Sequence, residues 1–248
     1  MGAVECPVRN LERNNPSPTV LITCEHGGNR VPAQYERLFR CHKKALASHR
    51  GFDPGALAVA RDFSTAFDAE LVYSTTSRLL VELNRSPRHP QLFSEASGTL
   101  SADERERVLV EYYRPYRERV EALVRESCEN GQRIVHVSCH SFTPILDGVL
   151  RRADIGLLFD PKRDTETNFC LNWQRQLRTL APQLIVRRNY PYRGYGDGLT
   201  TYLRKRFSDS VYCGIELEVN QKYPLGAQPA WRKLRRVLLS SLKSCLGR

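Results

Sequence analysis

Two histidines of this chain, His26 and His140, each stand at the end of an apolar, β-rich run. His26 follows Thr19-Val-Leu-Ile-Thr-Cys-Glu, and His140 follows Ile134-Val-His-Val-Ser-Cys. Both imidazoles would project from strand ends into loops, where side chains far apart in sequence can converge on one ion. The pair therefore predicts a shared metal site. The alternative is that one or both are ordinary loop histidines.

Asp53 and Glu25 are the two candidates for a third ligand. Asp53 lies directly before a helical segment, where its side chain could simply cap the helix N-terminus. If it also reaches the ion, it completes a site of two imidazoles and one carboxylate that leaves a position for water. Glu25 is adjacent to His26 but points to the opposite side if the strand continues. The sequence favours Asp53 and leaves the choice open.

Two further carboxylates, Glu216 and Glu218, are two residues apart in an apolar run from Gly214 to Gln221. On a strand this spacing places both on the same face. A buried carboxylate is costly to ionise, so such a pair usually has a cationic, hydrogen-bonding or metal-related reason to be there. The alternative is an edge strand whose glutamates face water.

Basic side chains gather in two loops that could face the same site. Residues 77–87 carry Arg78 and Arg85, and residues 189–194 carry Arg193. The guanidinium of Arg85 could form a two-pronged pair with a carboxylate. In a chain of net charge +11, each of these arginines could equally be an ordinary surface residue.

The positive net charge permits a nucleic-acid partner, but the placement of the basic residues argues against one. The run from Arg232 to Arg236 alternates with apolar residues at helical spacing, as on the solvated face of a terminal helix. The charge would instead attract small anionic ligands. We expect no membrane partner, because no apolar stretch reaches about 18 residues.

The N-terminal residues and the cysteines indicate a cytoplasmic protein. The chain does not start with a basic region followed by an apolar segment, so we expect no secretion signal. Its eight cysteines include no Cys-x-x-Cys pair, and several lie in apolar runs, as free thiols do in a reducing compartment.

Short apolar runs alternate with longer amphipathic segments along most of the chain. This alternation predicts an α/β fold with a mostly parallel central sheet flanked by helices. We expect a loose N-terminal segment over residues 1–18 and a single domain over residues 19–248. The expected strands cover residues 19–23, 70–74, 79–83, 134–138, 155–159, 184–188 and 211–219, and the expected helices cover about 54–67, 102–128, 166–180 and 231–246.

Six motifs follow one another in order between about residue 19 and residue 224. They are Cys24-Glu-His-Gly-Gly-Asn-Arg-Val-Pro32, Asp53-Pro-Gly-Ala56, Ser77-Arg-Leu-Leu-Val-Glu-Leu-Asn-Arg-Ser-Pro87, His140-Ser-Phe142, Asn189-Tyr-Pro-Tyr-Arg-Gly194 and Ile215-Glu-Leu-Glu-Val-Asn220. Together they resemble the N-formylglutamate amidohydrolase family. The resemblance implies a zinc hydrolase with an α/β phosphorylase/hydrolase-like fold, distantly similar to zinc carboxypeptidases. It also implies cleavage of the amide of an N-acylated acidic amino acid.

By position, the resemblance also implies a role for each candidate residue. One Zn²⁺ would be held by His26, Asp53 and His140. Glu218 would act as the general base on the attacking water. The anionic substrate would be bound by Arg78, Asn84, Arg85, Asn189 and Arg193, and Arg193 would also help to orient the amide for attack.

Some questions stay open at this point. Glu216 has no counterpart that the resemblance assigns. The first motif, which contains Cys24, has the form found in a branch of the family that is broader than the enzymes of histidine degradation, so the acyl group and the amino acid are not determined. The sequence does not determine the oligomeric state either. Two other functions compete with the hydrolase: a polyanion- or nucleic-acid-binding protein, and a catalytically silent relative that binds metal and substrate.

Overall fold

A six-stranded sheet forms the centre of the protein, which a computed structural model describes over residues 18–247. The strands are β1 (Thr19–Cys24), β2 (Glu70–Tyr73), β3 (Ile134–Phe142), β4 (Ile145–Leu146), β5 (Val149–Leu150), β6 (Ile155–Leu158), β7 (Val186–Arg188) and β8 (Tyr212–Asn220). The sheet has the order β2-β1-β3-β8-β6-β7 and is parallel except for the β6–β8 pair. Strands β4 and β5 form a separate antiparallel hairpin.

Helices flank this sheet on both sides. They are α1 (Lys43–Leu46), α2 (Ala56–Phe67), α3 (Ala102–Val108), α4 (Arg114–Glu129), α5 (Asp164–Leu180), α6 (Leu199–Arg204) and α7 (Gln228–Leu246). The predicted helix over residues 102–128 is present, but a π-helical turn at Leu109–Tyr113 separates α3 from α4. The hairpin β4–β5 and helix α6 were not predicted.

Both faces of the sheet are buried under these helices. On β1, Val20 and Ile22 pack into one core with α2, α5 and α7, whereas Leu21 packs into a second core with α4 and α6. A mainly parallel sheet that is covered on both faces favours nearly continuous apolar strands, and β1 has that pattern. Strand β3 is also buried along its whole length, although histidines and serines interrupt its apolar residues. The predicted α/β fold with a mostly parallel sheet is confirmed.

The run from Leu79 to Leu83 is not a strand, so this part of the prediction is wrong. Its residues are buried, but their backbone forms turns: Leu80 N donates to Ser77 O at 2.9 Å, and Arg85 N donates to Glu82 O at 3.3 Å. A short apolar run without alternation does not by itself distinguish a buried strand from other buried structure. The expected loose N-terminal segment covers residues 1–18, of which residues 1–17 lie outside the described residues.

The carboxyl ends of three neighbouring strands meet at one edge of the sheet. His26 lies two residues beyond the end of β1, and His140 lies near the end of β3. In the parallel register of β3 and β8, His140 pairs with Glu218. Ligands of open α/β sheets bind outside the carboxyl ends of the strands. The fold therefore brings these residues together at the edge where a site is expected.

Candidate active site

Two imidazoles and one carboxylate converge at this edge of the sheet. The Oδ2 atom of Asp53 lies 3.2 Å from Nδ1 of His26 and 3.0 Å from Nδ1 of His140. One ligand atom from each residue lies within 4.8 Å of the others, and all three side chains are buried. The group can therefore hold a metal ion.

The backbone around Asp53 explains how its side chain reaches the two imidazoles. Asp53 N donates to His26 O at 2.9 Å, which joins the two loops directly. Helix α2 begins only at Ala56, and its N-cap residue is Gly55, with no side-chain cap. Ser141 N lies 3.3 Å from the Asp53 Oδ2 atom and donates to it. The alternative that Asp53 serves only as a helix cap is therefore wrong.

The far nitrogen of His26 contacts a buried carboxylate that sequence reasoning did not assign. Nε2 of His26 makes a very short contact with Oε1 of Glu82. The other oxygen of Glu82 accepts from Nε of Arg78 at 2.7 Å, and Arg78 also lies 3.3 Å from Asp53. Burial opposes ionisation of Glu82, but Arg78 and His26 hold its pKa below the ordinary value. Arg78 thus pairs with the carboxylates of the site.

Nε2 of His140 is directed away from Asp53 and contacts the carboxylate of Glu25, as Nε2 of His26 contacts that of Glu82. The Nε2 atom of His140 lies 3.1 Å from Oε2 of Glu25, which also accepts from Ser138 Oγ at 2.7 Å. Tyr116 donates its hydroxyl to the second oxygen of Glu25 at 2.9 Å. Burial opposes ionisation of Glu25, but His140 and Ser138 hold its pKa below the ordinary value. Glu25 therefore contacts the outer nitrogen of a candidate ligand and is not the third ligand itself.

In each imidazole, Nε2 thus contacts a buried carboxylate and Nδ1 is directed at Asp53. Metal-bound histidines almost always donate their other N–H to a carboxylate, carbonyl or water, which fixes the tautomer and the orientation of the ring. The charges fit a metal as well: three buried carboxylates, Glu25, Asp53 and Glu82, face one permanent cation, Arg78. Without a metal, burial opposes protonation of His140, but its hydrogen bonds to Asp53 and Glu25 raise its pKa well above the ordinary value. With a divalent cation bound and both imidazoles neutral, the cation would balance the two excess negative charges.

Glu218 and Glu216 both face the cleft beside this cluster. Their strand, β8, lies inside the sheet between β3 and β6, so the edge-strand alternative is wrong. The Oε2 atom of Glu218 is buried and has no hydrogen-bond partner among the described residues. Burial raises the pKa of Glu218 to about 8. Glu216 differs, because its Oε1 accepts from Thr200 Oγ1 at 2.6 Å.

A cleft of about 590 Å³ opens over the cluster, and several of the predicted substrate residues line it. Arg85 and Arg193 both reach it, and Nη1 of Arg85 donates to Asp197 O at 2.6 Å. Asn84 lies deeper: its Nδ2 is 3.4 Å from Nε2 of His140, and its Oδ1 accepts from Leu199 N at 2.7 Å. The cleft lining therefore combines a half-buried and an exposed arginine with a buried amide.

Asn189 is not among the residues that line the cleft. Its Oδ1 accepts from Phe159 N at 3.1 Å and from Gly194 N at 3.0 Å, and its own backbone has a positive φ of 47°. These bonds hold the loop of residues 189–194, which carries Arg193 into the cleft. The structure thus places Asn189 at the start of this loop and away from the cleft lining, whereas Arg193 lines the cleft.

The structure also shows why Glu82 escaped prediction. Its apolar neighbours suggested a strand over residues 79–83, and only the charge inside that run distinguished the position. A carboxylate within a buried apolar segment needs a partner, so this was an available signal. The sequence could not show which partner it would meet.

The family model for N-formylglutamate amidohydrolase matches residues 18–223 of the 248-residue chain. The chain belongs to this family. Every residue of the site described above lies within the matched range. As an N-formylglutamate amidohydrolase family member, the chain is a hydrolase by family, with a buried His-Asp-His group that can hold a metal.

Two solved structures are similar over nearly the whole chain. A gene product of Agrobacterium tumefaciens is 30% identical, with a TM-score of 0.75, and the match covers 92% of this chain and 91% of that one. An N-formylglutamate amidohydrolase from Ralstonia eutropha is 17% identical, with a TM-score of 0.66, and the match covers 92% and 93%. At this lower identity the second likeness shows the fold alone. No curated protein matches the chain significantly.

One further finding concerns membranes. Among residues 18–247, no helix is long and apolar enough to cross a bilayer.

Proposed function

We propose that this family member is a zinc-dependent amidohydrolase that cleaves the amide of an N-formyl or other N-acyl amino acid. The acylated amino acid is an acidic one such as glutamate. The observation that carries the proposal is the cluster of His26, Asp53 and His140 in an arginine-lined cleft beside Glu218, whose buried Oε2 has no hydrogen-bond partner among the described residues. Two imidazoles with one carboxylate form a known ligand set of catalytic zinc, with one position left open.

When bound, zinc would lower the pKa of a coordinated water towards about 7 and polarise the scissile carbonyl. The protein residues supply the remaining functions. Glu218 takes the proton of the attacking water and returns it to the departing amine. Its buried Oε2 has no hydrogen-bond partner among the described residues and is thus available for that proton. Burial raises the pKa of Glu218 in the metal-free site, and a bound divalent cation would lower it and so favour the carboxylate form that accepts the proton.

Arg85 and Arg193 bind the substrate carboxylate and hold the amide beside Glu218. Both line the cleft, and the protein carries a net charge of +11, which favours an anionic substrate. Arg78 also lines the cleft, but its guanidinium is bonded to Glu82 and lies near Asp53. We therefore assign Arg78 chiefly to holding the carboxylates of the metal site.

The test compares Glu218→Gln with the wild-type protein and with Glu118→Gln, a control on the exposed face of α4. Zinc content is measured by elemental analysis, and hydrolysis is measured on a panel of N-acyl amino acids. We expect Glu218→Gln to keep its zinc and to lose roughly 100- to 10,000-fold in turnover, the usual range for a lost general base. Full activity in metal-free wild-type protein, or unchanged turnover in Glu218→Gln, would contradict the proposal.

A further inference from the structure

The cleft is larger than a formylated amino acid requires. Its volume is about 590 Å³. Pockets of about 300–1,000 Å³ typically hold drug-sized ligands, whereas N-formylglutamate has only about 12 non-hydrogen atoms. Part of the cleft would therefore stay filled with water if the acyl group were formyl.

One wall of the cleft is apolar, and it starts beside the metal cluster. Phe142 ends β3 only two residues after His140, and the chain then enters the β4–β5 hairpin, where Leu146 also lines the cleft. Tyr192 completes this wall, and its side chain is 47% exposed. A formyl group carries a single hydrogen on its carbonyl carbon, so it has no hydrocarbon surface to bury against these side chains.

Leu146 and Tyr192 form the accessible surface of this apolar wall, because Phe142 behind them is only 1% exposed, and Arg151 holds Tyr192 in place. Nη1 of Arg151 lies 3.1 Å from the Tyr192 hydroxyl and donates to it, and the guanidinium lies 5.1 Å from the ring centroid. The Arg151 backbone N–H donates to Pro144 O at 2.8 Å, which closes the base of the hairpin. The exposed ring is therefore fixed against the hairpin that carries Leu146.

We propose that the substrate carries an apolar acyl group larger than formyl, and that the apolar wall binds it. The inference rests on the proposed amide hydrolysis and specifies its substrate class. Arg85, on a different loop, holds the carboxylate of the amino acid, so that the amide lies between the two walls and next to Glu218. Burial of a methylene is worth roughly 0.8 kcal/mol, or about fourfold in binding, so two buried methylenes give a preference of about 15-fold.

The experiment measures kcat/KM of the zinc-loaded protein on N-formyl-, N-acetyl- and N-hexanoylglutamate. The variant Leu146→Gln keeps the size of the side chain but makes the wall polar. Val149→Gln is the matched control, because Val149 lies on the same hairpin, is 67% exposed and does not line the cleft. We expect the wild type and Val149→Gln to prefer the hexanoyl over the formyl substrate by at least about 10-fold. Leu146→Gln should lose about 5- to 10-fold on the hexanoyl substrate alone.

Binding to the Glu218→Gln variant provides a readout independent of turnover. By calorimetry, N-hexanoylglutamate should bind at least about 10-fold more tightly than N-formylglutamate, and adding Leu146→Gln should remove most of that difference. If the protein cleaves the formyl substrate in preference to the hexanoyl substrate, the proposal of a larger acyl group is refuted, whereas the proposed amide hydrolysis is not. Failure to cleave any of the three substrates would overturn both.

Discussion

Glu82→Gln tests the claim that a carboxylate behind His26 tunes the metal site. The substitution preserves the size of the side chain and removes one negative charge. His26 then loses its charged partner at Nε2, and Arg78 loses the closer of its two carboxylates, keeping Asp53 Oδ1 at 3.3 Å. The three candidate ligand atoms themselves are unchanged.

The size of the effect on the ligand is taken from the contact that His26 loses at Nε2. A hydrogen bond to a charged group contributes about 1.5–3 kcal/mol, and about 1.4 kcal/mol corresponds to a factor of ten. The zinc affinity of Glu82→Gln should therefore fall by roughly 10- to 150-fold. This agrees with the roughly 10- to 100-fold losses that accompany changes in the outer partners of metal ligands. The loss arises because a carboxylate makes the imidazole a more basic ligand than an amide does.

Zinc affinity is measured by competition with a chromophoric chelator, on the wild type, Glu82→Gln and the exposed control Glu118→Gln. Thermal unfolding of the metal-free proteins checks that each variant is folded. Glu118→Gln should match the wild type. An unchanged zinc affinity in folded Glu82→Gln would show that the contact at Nε2 of His26 does not affect metal binding. The claim that Glu82 and Glu25 tune the two histidine ligands would then be refuted.

Three further predictions concern other parts of the molecule. Asp53→Ala removes a candidate ligand, so its zinc affinity should fall by more than about 100-fold, which exceeds the loss expected when a residue that contacts a ligand is changed. Metal content after dialysis measures this, and an undiminished zinc content would contradict the prediction. His136 is fully buried, and burial lowers its pKa to about 4. The ordinary pKa of a histidine is about 6.5, so the neutral His136 adds its full contribution to the free energy of unfolding above pH 6.5. As the pH falls towards 4 the folded protein loses this contribution, which amounts to about 2–3 kcal/mol by pH 4.5. Urea unfolding at pH 7 and 4.5 should show that loss in the wild type and not in His136→Gln; equal losses in both would contradict it. Arg204→Ala leaves Glu166 as a buried carboxylate without its bond at 2.9 Å and should cost about 3 kcal/mol in urea unfolding, whereas a change below about 1 kcal/mol would contradict this.

The strands that precede His26 and His140 could be predicted because their signals are local, but the expected end of β3 at residue 138 was wrong: β3 continues to Phe142, so His140 lies within the strand and not in a loop beyond it. The apolar run before His26 ends in β1, and the run before His140 lies in β3. Alternation along a strand placed Glu216 and Glu218 on one face, and both line the cleft. The order of the strands was not predictable, because neighbours such as β1 and β3 are more than 100 residues apart and their pairing depends on the packing of the whole sheet.

The partners of the buried charges were not predictable either. Glu82 meets His26 across 56 residues, and its position depends on turns that a pattern of apolar residues does not reveal. The same pattern led to the wrong strand over residues 79–83. A buried carboxylate signals that some cation or donor must be near it, but only the folded chain shows which one.

Glu25 shows how a local argument can miss a function. Alternation would direct Glu25 away from His26 only if the strand continued, but β1 ends at Cys24 and Glu25 lies in the turn that follows. That same placement brings it towards β3, where it accepts from Ser138 and lies 3.1 Å from Nε2 of His140. The two outer carboxylates thus come from unrelated segments but occupy equivalent positions, each behind one imidazole. Glu25 lies in the turn that directly follows β1, whereas Glu82 lies in a segment without regular secondary structure, so the geometry of the candidate metal site depends on both the regular and the irregular parts of the fold.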